Sequence, residues 1–522
     1  MRKAITAIAV IMMTFSMTVL PGCAKDYGSD MERPVEVNRT YEKINPSPAV
    51  IPTFYDLKLK LDTQNDRLYE QVSISVLNNT DTSVDTVYLR YYPMGYTGYL
   101  TEALPSNKDA NKDKEAKVQS VRREGLDKDL PLEYLMDDTV IKIDFSGDVI
   151  EPGESEKILV EAWTDIPDTQ NRFGMVKNEK GKLYLLSFCF PYVECSSEGM
   201  WQIDPPLYLA GEGENRNPDL ADYHVEIEMP EDYMVASAGT ITAGDGTTSI
   251  ELKNISDLAM AVSNFMGVDT FEAQGTTVRN YYLKAGKEEA YRAVSKQTVL
   301  DAFDFYTKLL GQYARNEYTM IQGVAGMEHS GLAFVEGMLY LNGQNDDLNA
   351  LQRNIAHELG HSWFYDSIRN NEYREGWIDE GITSYLASDE MLYQDLVSYK
   401  TEKEYGSEGS MAVYTQARDE VRSKTEADFL KGLDHCYLNE PWDMYPDSSH
   451  SGEKEYLFAP IFLYHAKEIM GEEAFHGFLS EVYRTYTNQV VHSEDILKIL
   501  RTYNDSRELN DLIAFYFKES GS

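Results

Sequence analysis

The stretch HELGH, residues 357–361, lies within a segment, 348–368, whose apolar residues recur at helical spacing. On a helix that spans this segment, His357 and His361 stand one turn apart on the same side. Two imidazoles placed in this way can bind one tetrahedral zinc ion, and Glu358 lies at the edge of the same face. A carboxylate at that position can accept a proton from an attacking water. The stretch therefore predicts a helical metal site with its own general base.

A third protein ligand is expected further along the chain, because a catalytic zinc ion keeps three protein ligands and one open position. Glu380 is the candidate. It lies nineteen residues after His361, in WIDEG, residues 377–381, and an apolar stretch follows it. An ionisable group in such a stretch is costly unless it is paired or bound to a metal. The sequence thus predicts that His357, His361 and Glu380 hold one zinc ion per chain.

The composition describes a large, acidic and well-packed protein. The chain has 522 residues, of which 42% are hydrophobic, and its formal net charge is −39. That length favours two domains. Phosphate binding needs basic patches, so nucleic acid is not an expected partner, and the acidity favours the solubility of a secreted protein. The few cysteines form no CxxC pair and no disulfide framework, although Cys189 and Cys195 are close enough in sequence to form a bridge.

The N-terminus has the features of an export signal. A short positive region, residues 1–3, precedes residues 4–20, which are almost wholly apolar and too few for a permanent membrane helix with such flanks. Cys23 follows in LPGC, residues 20–23, which resembles a bacterial lipobox. We therefore expect residues 1–22 to be a lipoprotein signal peptide and a lipid at Cys23 to anchor the protein to the extracellular face of a bacterial membrane. Plain cleavage and secretion is the alternative.

The next part of the chain has the period-two pattern of β-strands. Residues 23–50 are polar with three prolines and are predicted to form a tether. Beyond them, apolar and polar residues alternate in segments that turn-forming clusters separate. The clearest alternating segments are residues 55–61, 72–76, 141–145 and 223–229. This pattern predicts a β-rich domain of sandwich-like sheets over residues 51–268.

Helical spacing replaces the alternation after the last of these strands. Residues 299–310, 461–470 and 474–486 each place apolar side chains on one helix face. Strands followed by helices favour segregated domains over a mixed layer. The predicted fold class is therefore a multidomain α+β chain, in which the β domain, 51–268, precedes a mostly helical domain, 269–522, that carries the metal site.

HELGH, followed after eighteen residues by the glutamate of WIDEG, resembles the gluzincin aminopeptidases, the membrane alanyl aminopeptidase family. These enzymes also carry a Gly-x-Met-Glu-Asn segment upstream, and residues 325–332, AGMEHSGL, occupy the corresponding place. The resemblance is strong over residues 323–386 and loose elsewhere. It implies a saddle-like β domain followed by a thermolysin-like catalytic domain. Larger relatives add a helical C-terminal domain, which we expect this chain to lack.

The resemblance also implies how the substrate is held. In the family, the glutamate of the upstream segment binds the free α-amino group, which assigns Glu328 as the amine anchor, with Met327 and Gly326 beside it in the substrate-binding segment. Such a carboxylate selects peptides with a cationic N-terminus. Two departures concern the same function: His329 stands where the family usually has Asn, and residues 187–190 lack the Gln or Glu that the family uses for a further amine contact.

A tyrosine early in a helix supplies the oxyanion donor in the family. Tyr456, in EYLFAPIFL, residues 455–463, is the best match, and Tyr445 and Tyr437 are the alternatives. A phenol that points at developing negative charge stabilises it by about 3 kcal/mol. The resemblance therefore implies two catalytic residues, Glu358 and Tyr456.

Taken with the metal motif, the resemblance implies a zinc metallopeptidase that releases N-terminal residues from peptides. The expected partners are peptides with a free N-terminus and, through the lipid at Cys23, a membrane. An endopeptidase with the same zinc chemistry is the nearest alternative. A surface lipoprotein that binds peptides without cleaving them is the alternative from a different functional class.

Overall fold

The computed structural model describes most of the chain. The described residues are 41–95, 98, 108–169, 171–206, 219–244, 246–286, 288–323, 326–335, 348–387, 437–441 and 454–518. The predicted signal peptide, 1–22, and Cys23 lie outside them, as does most of the predicted tether. In the part of the chain that is described, no helix combines the length and the apolar character that crossing a membrane requires.

The chain divides into two compact units. The β unit comprises the described residues of Glu32–Gln297 and Arg315–Leu348. The helical unit comprises those of Thr298–Ala314 and Asn349–Ser522. The predicted domain limits, 51–268 and 269–522, stay a prediction.

Short and long strands build the β unit. In chain order they are β1 (Ile51–Asp62), β2 (Arg67–Leu77), β3 (Thr86–Arg90), β4 (Ala116–Arg123), β5 (Leu132–Leu135), β6 (Val140–Asp144), β7 (Ser155–Asp165), β8 (Phe173–Asn178), β9 (Gly181–Ser187), β10 (Tyr192–Val193), β11 (Ser196–Ser197), β12 (Met200–Trp201), β13 (Ala221–Glu228), β14 (Met234–Ser237), β15 (Thr240–Ala243), β16 (Thr247–Ile255), β17 (Ala259–Ser263), β18 (Met266–Ala273), β19 (Thr276–Leu283), β20 (Glu317–Gln322), β21 (Met327–His329) and β22 (Leu332–Val335).

These strands form several sheets, of which the largest has the order β15-β16-β13-β1-β2-β7-β4. In it, β1 pairs antiparallel with β2, and Leu57 lies opposite Val72, both of them buried. Alternate residues of a strand face opposite sides, so the period-two pattern of the sequence buries one face of this sheet. Two smaller sheets have the orders β10-β3-β6-β5 and β14-β17-β9-β8. Cys189 and Cys195 are both buried, and no disulfide joins them.

A further sheet, β18-β19-β20-β22-β21, extends the strand pattern to Val335. The helical spacing that the sequence suggests after residue 268 is therefore wrong for β19, β20, β21 and β22. In β20, five of the six residues are buried, and all four residues of β22 are buried. Strands that are buried on both faces have nearly continuous apolar sequences. They therefore lack the alternation of apolar and polar residues that predicts a strand.

Helices dominate the helical unit, and a four-residue helix also lies between β3 and β4 in the β unit. The helices with defined bounds are α1 (Lys108–Asn111), α2 (Glu288–Leu309), α3 (Leu348–Gly360), α4 (Glu372–Glu375), α5 (Ile382–Ser384), α6 (Ala459–Met470), α7 (Glu472–Tyr486), α8 (Ser493–Tyr503) and α9 (Arg507–Tyr516), together with two π-helical turns, Trp377–Gly381 and Lys454–Phe458. Two short strands, β23 (Ile368–Arg369) and β24 (Gln489–Val490), pair in parallel within the helical unit. Of these elements, α3 and the two π-helical turns carry the predicted catalytic groups.

Candidate active site

Helix α3 carries the two predicted histidine ligands at its C-terminal end. The helix ends at Gly360, earlier than the periodicity up to residue 368 suggests, and turns follow it. The amide of His361 still bonds to the carbonyl oxygen of His357, at 3.3 Å, so the helical one-turn spacing of the pair is kept. As a result the two Nε2 atoms lie 3.2 Å apart.

Glu380 completes the group from the π-helical turn Trp377–Gly381. Its Oε2 atom lies 3.1 Å from Nε2 of His357 and 3.4 Å from Nε2 of His361. Three ligand atoms bound at about 2.0–2.1 Å to a tetrahedral zinc ion stand about 3.3 Å from one another. The observed separations match this value, so the three side chains fit a zinc ion in their present positions.

A hydrogen bond to a group that is not a metal ligand fixes the tautomer of the His361 imidazole. Its Nδ1 lies 3.1 Å from the carbonyl oxygen of Phe364, which can only accept, so Nδ1 carries the proton. In the neutral ring, Nε2 then keeps its lone pair for a metal. No local pattern in the sequence indicates this contact, because it depends on the turn that follows α3.

The π-helical turn that holds Glu380 is packed tightly against the turn that carries Tyr456. A Cβ atom at Gly381 would lie 3.4 Å from the carbonyl oxygen of Glu455, in that turn, and 2.5 Å from Cβ of Ala459, which directly follows it. The second distance is too short for two carbon atoms. Trp377 is fully buried, and its indole nitrogen donates a 2.8 Å hydrogen bond to Ser493 Oγ. Single π-helical turns are rare and frequent at functional sites, and here close packing keeps the third ligand in place.

Electrostatics keep Glu380 in the form that binds a cation. Burial opposes ionisation of its carboxyl group, but the imidazoles of His361 and His357 outweigh that cost and hold its pKa well below the usual range. A divalent ion satisfies all three groups at once.

Glu358, the predicted base, is buried beside the ligands, with 1% of its surface exposed. Its Oε1 accepts a 3.0 Å hydrogen bond from Nδ2 of Asn354, one turn earlier on α3. This contact fixes the orientation of the carboxylate, which a general base needs in order to meet the proton that it accepts. Asn354 was not among the predicted site residues, although its i−4 spacing from Glu358 could have suggested it.

Tyr456 lies in the π-helical turn Lys454–Phe458, and its ring centroid is 6.1 Å from that of His357. This places a phenol next to the ligand group. Of the two alternatives, Tyr445 lies outside the described residues, and Tyr437 begins the short described segment 437–441. Among the described residues, Tyr456 is thus the candidate whose ring contact with His357 is observed.

The predicted substrate-binding residues belong to the β unit. Met327 and Glu328 lie on β21, with Glu328 opposite Ala333 of β22, and Gly326 directly precedes the strand. Only 2% of the surface of Glu328 is exposed, and its Oε2 atom has no hydrogen-bond partner among the described residues. An unsatisfied buried carboxylate oxygen is costly, which is the property expected of a group that binds a ligand.

Known proteins resemble the chain in both sequence and fold. Residues 297–516 match the peptidase family M1 domain. Those residues form a peptidase family M1 domain. It contains α3 and both π-helical turns, and hence all three candidate zinc ligands, so the family resemblance seen in the sequence is confirmed for this part of the chain.

Individual relatives of the M1 domain are distant. Glutamyl aminopeptidase of Sus scrofa is 23% identical over 326 residues, which is 56% of this chain and 34% of that protein. Leucine aminopeptidase 2 of Emericella nidulans is 28% identical over 142 residues, 27% of this chain and 21% of that protein. The chain thus spans about a third or less of the length of these curated relatives.

The fold extends beyond the matched M1 domain. The crystal structure of an M1 zinc metallopeptidase from Deinococcus radiodurans superposes with a TM-score of 0.56 at 15% identity, and covers 91% of this chain and 95% of that one. The predicted fold class, a β-rich N-terminal part followed by a mostly helical part, is therefore confirmed.

Proposed function

We propose that the protein is a zinc-dependent aminopeptidase that releases N-terminal residues from peptides. The observation that carries this proposal is the ligand geometry: Nε2 of His357, Nε2 of His361 and Oε2 of Glu380 lie 3.1–3.4 Å from one another. The M1 domain match over residues 297–516 and the aminopeptidase relatives support the same activity.

In this proposal, His357, His361 and Glu380 hold the zinc ion. When bound, such an ion polarises the scissile carbonyl group and lowers the pKa of water to about 7. Glu358 accepts the proton of the attacking water and returns it to the departing amine, which is general base and then general acid catalysis by one carboxylate. The hydroxyl of Tyr456 donates a hydrogen bond to the oxyanion as it forms.

Glu328 gives the enzyme its preference for free N-termini. A buried carboxylate pairs with the cationic α-amino group of a peptide and is left unsatisfied by a blocked one. The buried Oε2 atom without a partner among the described residues supports this role. Release of one residue per turnover follows from an anchor of this kind.

The test of the activity is the variant Glu358→Gln with a panel of fluorogenic aminoacyl substrates. We expect the variant to keep its zinc, measured by elemental analysis, and to lose turnover by about a thousandfold or more. Turnover that survives the substitution would refute the role of Glu358 as the base. Cleavage of N-acetylated peptides as fast as free ones by the wild-type enzyme would instead establish an endopeptidase.

The proposed place of action is the extracellular face of a bacterial membrane, reached through a lipid on Cys23. The support is the sequence of residues 1–23 alone, which combines a positive start, an apolar run and a lipobox-like end. Labelling with palmitate in a bacterial host should occur for the wild type and not for Cys23→Ala. Release of unlabelled wild-type protein into the medium would support plain secretion.

A further inference from the structure

Three buried side chains of the β unit form a hydrogen-bonded network, and one of them directly follows the proposed amine anchor in sequence. Nδ1 of His329 lies 2.5 Å from Oδ2 of Asp257, and Nε2 of His329 lies 2.9 Å from Oγ of Ser187. Ser187 is fully buried, His329 is 3% exposed and Asp257 is 5% exposed. The three residues come from three segments: Ser187 ends β9, Asp257 lies two residues before β17, and His329 ends β21.

Strand β21, which carries Glu328, is weakly held by its own sheet. It has three residues and, among the described strands, lies at the edge of the sheet and pairs with β22 alone. An edge strand of this length is fixed on one side by a few backbone hydrogen bonds and has none on the other. The bonds from His329 to Asp257 and Ser187 supply a second attachment.

The residue that follows β21 strengthens this attachment. The amide of Ser330 donates a 2.8 Å hydrogen bond to Oδ1 of Asp257, so both oxygens of that carboxylate hold the end of the strand. The amide of Ser256 in turn donates to Oγ of Ser330, at 3.2 Å. Segment 256–257 and segment 329–330 are therefore tied together by both side chains and main chain.

Side-chain alternation links this network to Glu328. Successive side chains of a strand point to opposite faces, so His329 and Glu328 project from opposite sides of β21. A rotation of the strand about its axis would move both side chains together. Fixing the imidazole of His329 between Asp257 and Ser187 consequently fixes the direction of the Glu328 carboxylate.

Packing holds the imidazole in the plane that these bonds need. The ring of Phe188 lies 5.8 Å from the ring of His329, and the ring of Phe334 lies 5.4 Å from it in an edge-to-face geometry.

The hydrogen-bonded order Ser187, His329, Asp257 is the same as that of a nucleophilic Ser-His-Asp triad. Ser187, however, has no exposed surface, and a nucleophile must meet its substrate.

We propose that Asp257, His329 and Ser187 are positioning residues that aim Glu328 at the amino group of the substrate. This inference rests on the proposed function, because it assumes that Glu328 binds that amino group. In this protein, His329 and its two hydrogen-bond partners thus help to orient the carboxylate of Glu328. Amine recognition should depend on the network even though none of its three members touches the substrate.

The test compares two inhibitors that differ only in the amino group: leucine hydroxamate and isocaproyl hydroxamate, both of which bind zinc through the hydroxamate. The ratio of their inhibition constants measures amine recognition alone. In His329→Phe, which keeps an aromatic ring but no hydrogen bonds, and in Asp257→Asn, we expect this ratio to fall by about tenfold or more. The inhibition constant of isocaproyl hydroxamate should stay unchanged.

Two reference variants make the result decisive. Glu328→Ala should abolish the preference for the amine, and an unchanged ratio there would refute the anchor itself, whatever His329 does. His224→Phe removes another histidine–carboxylate pair of the β unit, the 2.5 Å contact of Nδ1 with Glu251, and should leave the ratio at its wild-type value.

Three results would overturn the positioning role. One is a wild-type ratio in His329→Phe and Asp257→Asn while Glu328→Ala loses it. Another is an equal weakening of both inhibitors, which would mark the network as merely structural. The last is labelling of Ser187 by a fluorophosphonate, which would make it a nucleophile. Should His329→Phe not fold, Asp257→Asn and the milder Ser187→Ala decide by the same ratio.

Discussion

The hydroxyl of Tyr306 donates a 3.0 Å hydrogen bond to the main-chain oxygen of Ala356, one residue before the first zinc-ligand candidate. The same hydroxyl would lie 2.5 Å from a Cβ atom at Gly360, and Cγ2 of Thr383 would lie 2.8 Å from it. The glycine in HELGH is therefore a steric requirement. It lets Tyr306 and Thr383 pack directly onto the backbone of α3 between the two histidines.

This packing predicts that Gly360→Ala destabilises the helical unit. The added methyl group must displace a buried hydroxyl and a buried methyl group, at a cost of about 1–3 kcal/mol. Chemical denaturation should show the loss, and zinc affinity should fall with it because both ligands move. The double variant Gly360→Ala with Tyr306→Phe should regain part of the stability, since the hydroxyl is gone. No recovery in the double variant would contradict the steric explanation.

Removal of the metal should destabilise the same unit. Without a cation, Oε2 of Glu380 and the two imidazoles remain close together and buried, and a ligand that binds only the folded state stabilises it by about 4 kcal/mol at a thousandfold excess over its Kd. Chelation should therefore lower the Tm and abolish activity, and added zinc should restore both. A Tm that chelation leaves unchanged would contradict metal binding by these three residues.

The zinc ligands could be predicted from the sequence because their geometry is mostly local. A one-turn spacing on a helix brings His357 and His361 together whatever the rest of the fold does. Glu380 needed two further arguments, the cost of an ionisable group among apolar residues and the family resemblance. The Asn354 contact with Glu358 was equally local and could have been found by the same spacing.

The rest depended on contacts that no local pattern encodes. His329 meets Asp257 and Ser187 across 72 and 142 positions of sequence, respectively, and only the pairing and packing of several sheets bring them together. Strands β20 and β22 were missed for a different reason. Both faces of these two strands are buried. Their sequences therefore lack the alternation of apolar and polar residues by which strands such as β1 and β2 were predicted.

The position of Tyr456 predicts a selective loss of turnover. Its ring lies 6.1 Å from that of His357, so the phenol can support charge that forms at the metal site without contributing to ground-state binding. Tyr456→Phe should lower kcat by about a hundredfold with little change in KM, because one oxyanion donor is lost. Steady-state kinetics on one aminoacyl reporter measures both constants. A change in KM alone would favour a role in substrate binding.

Glu375 predicts how stability depends on pH. Its Oε1 accepts the amide of Ser493, at 2.7 Å, at the start of α8, and its Oε2 lies 2.8 Å from Nδ1 of His492. Burial opposes ionisation of this carboxyl, but the hydrogen bonds from His492 and Ser493 outweigh it and lower its pKa from 4.5. A carboxyl whose pKa is lower in the folded state stabilises the fold above pH 4.5. That contribution is lost as the pH falls through the folded-state pKa.

The variant Glu375→Gln should therefore cost stability at neutral pH and little in acid. Because the charge-assisted bonds are lost, the free energy of unfolding of the variant should be about 1–3 kcal/mol lower than that of the wild type near pH 6. This difference should shrink as the pH falls below the range in which wild-type Glu375 is ionised. Urea denaturation at a series of pH values measures both curves. Glu508→Gln, an exposed glutamate in the first turn of α9, is the charge-matched control. If the free energy of unfolding of Glu375→Gln is lower than that of the wild type by the same amount at every pH, ionisation of Glu375 does not stabilise the start of α8.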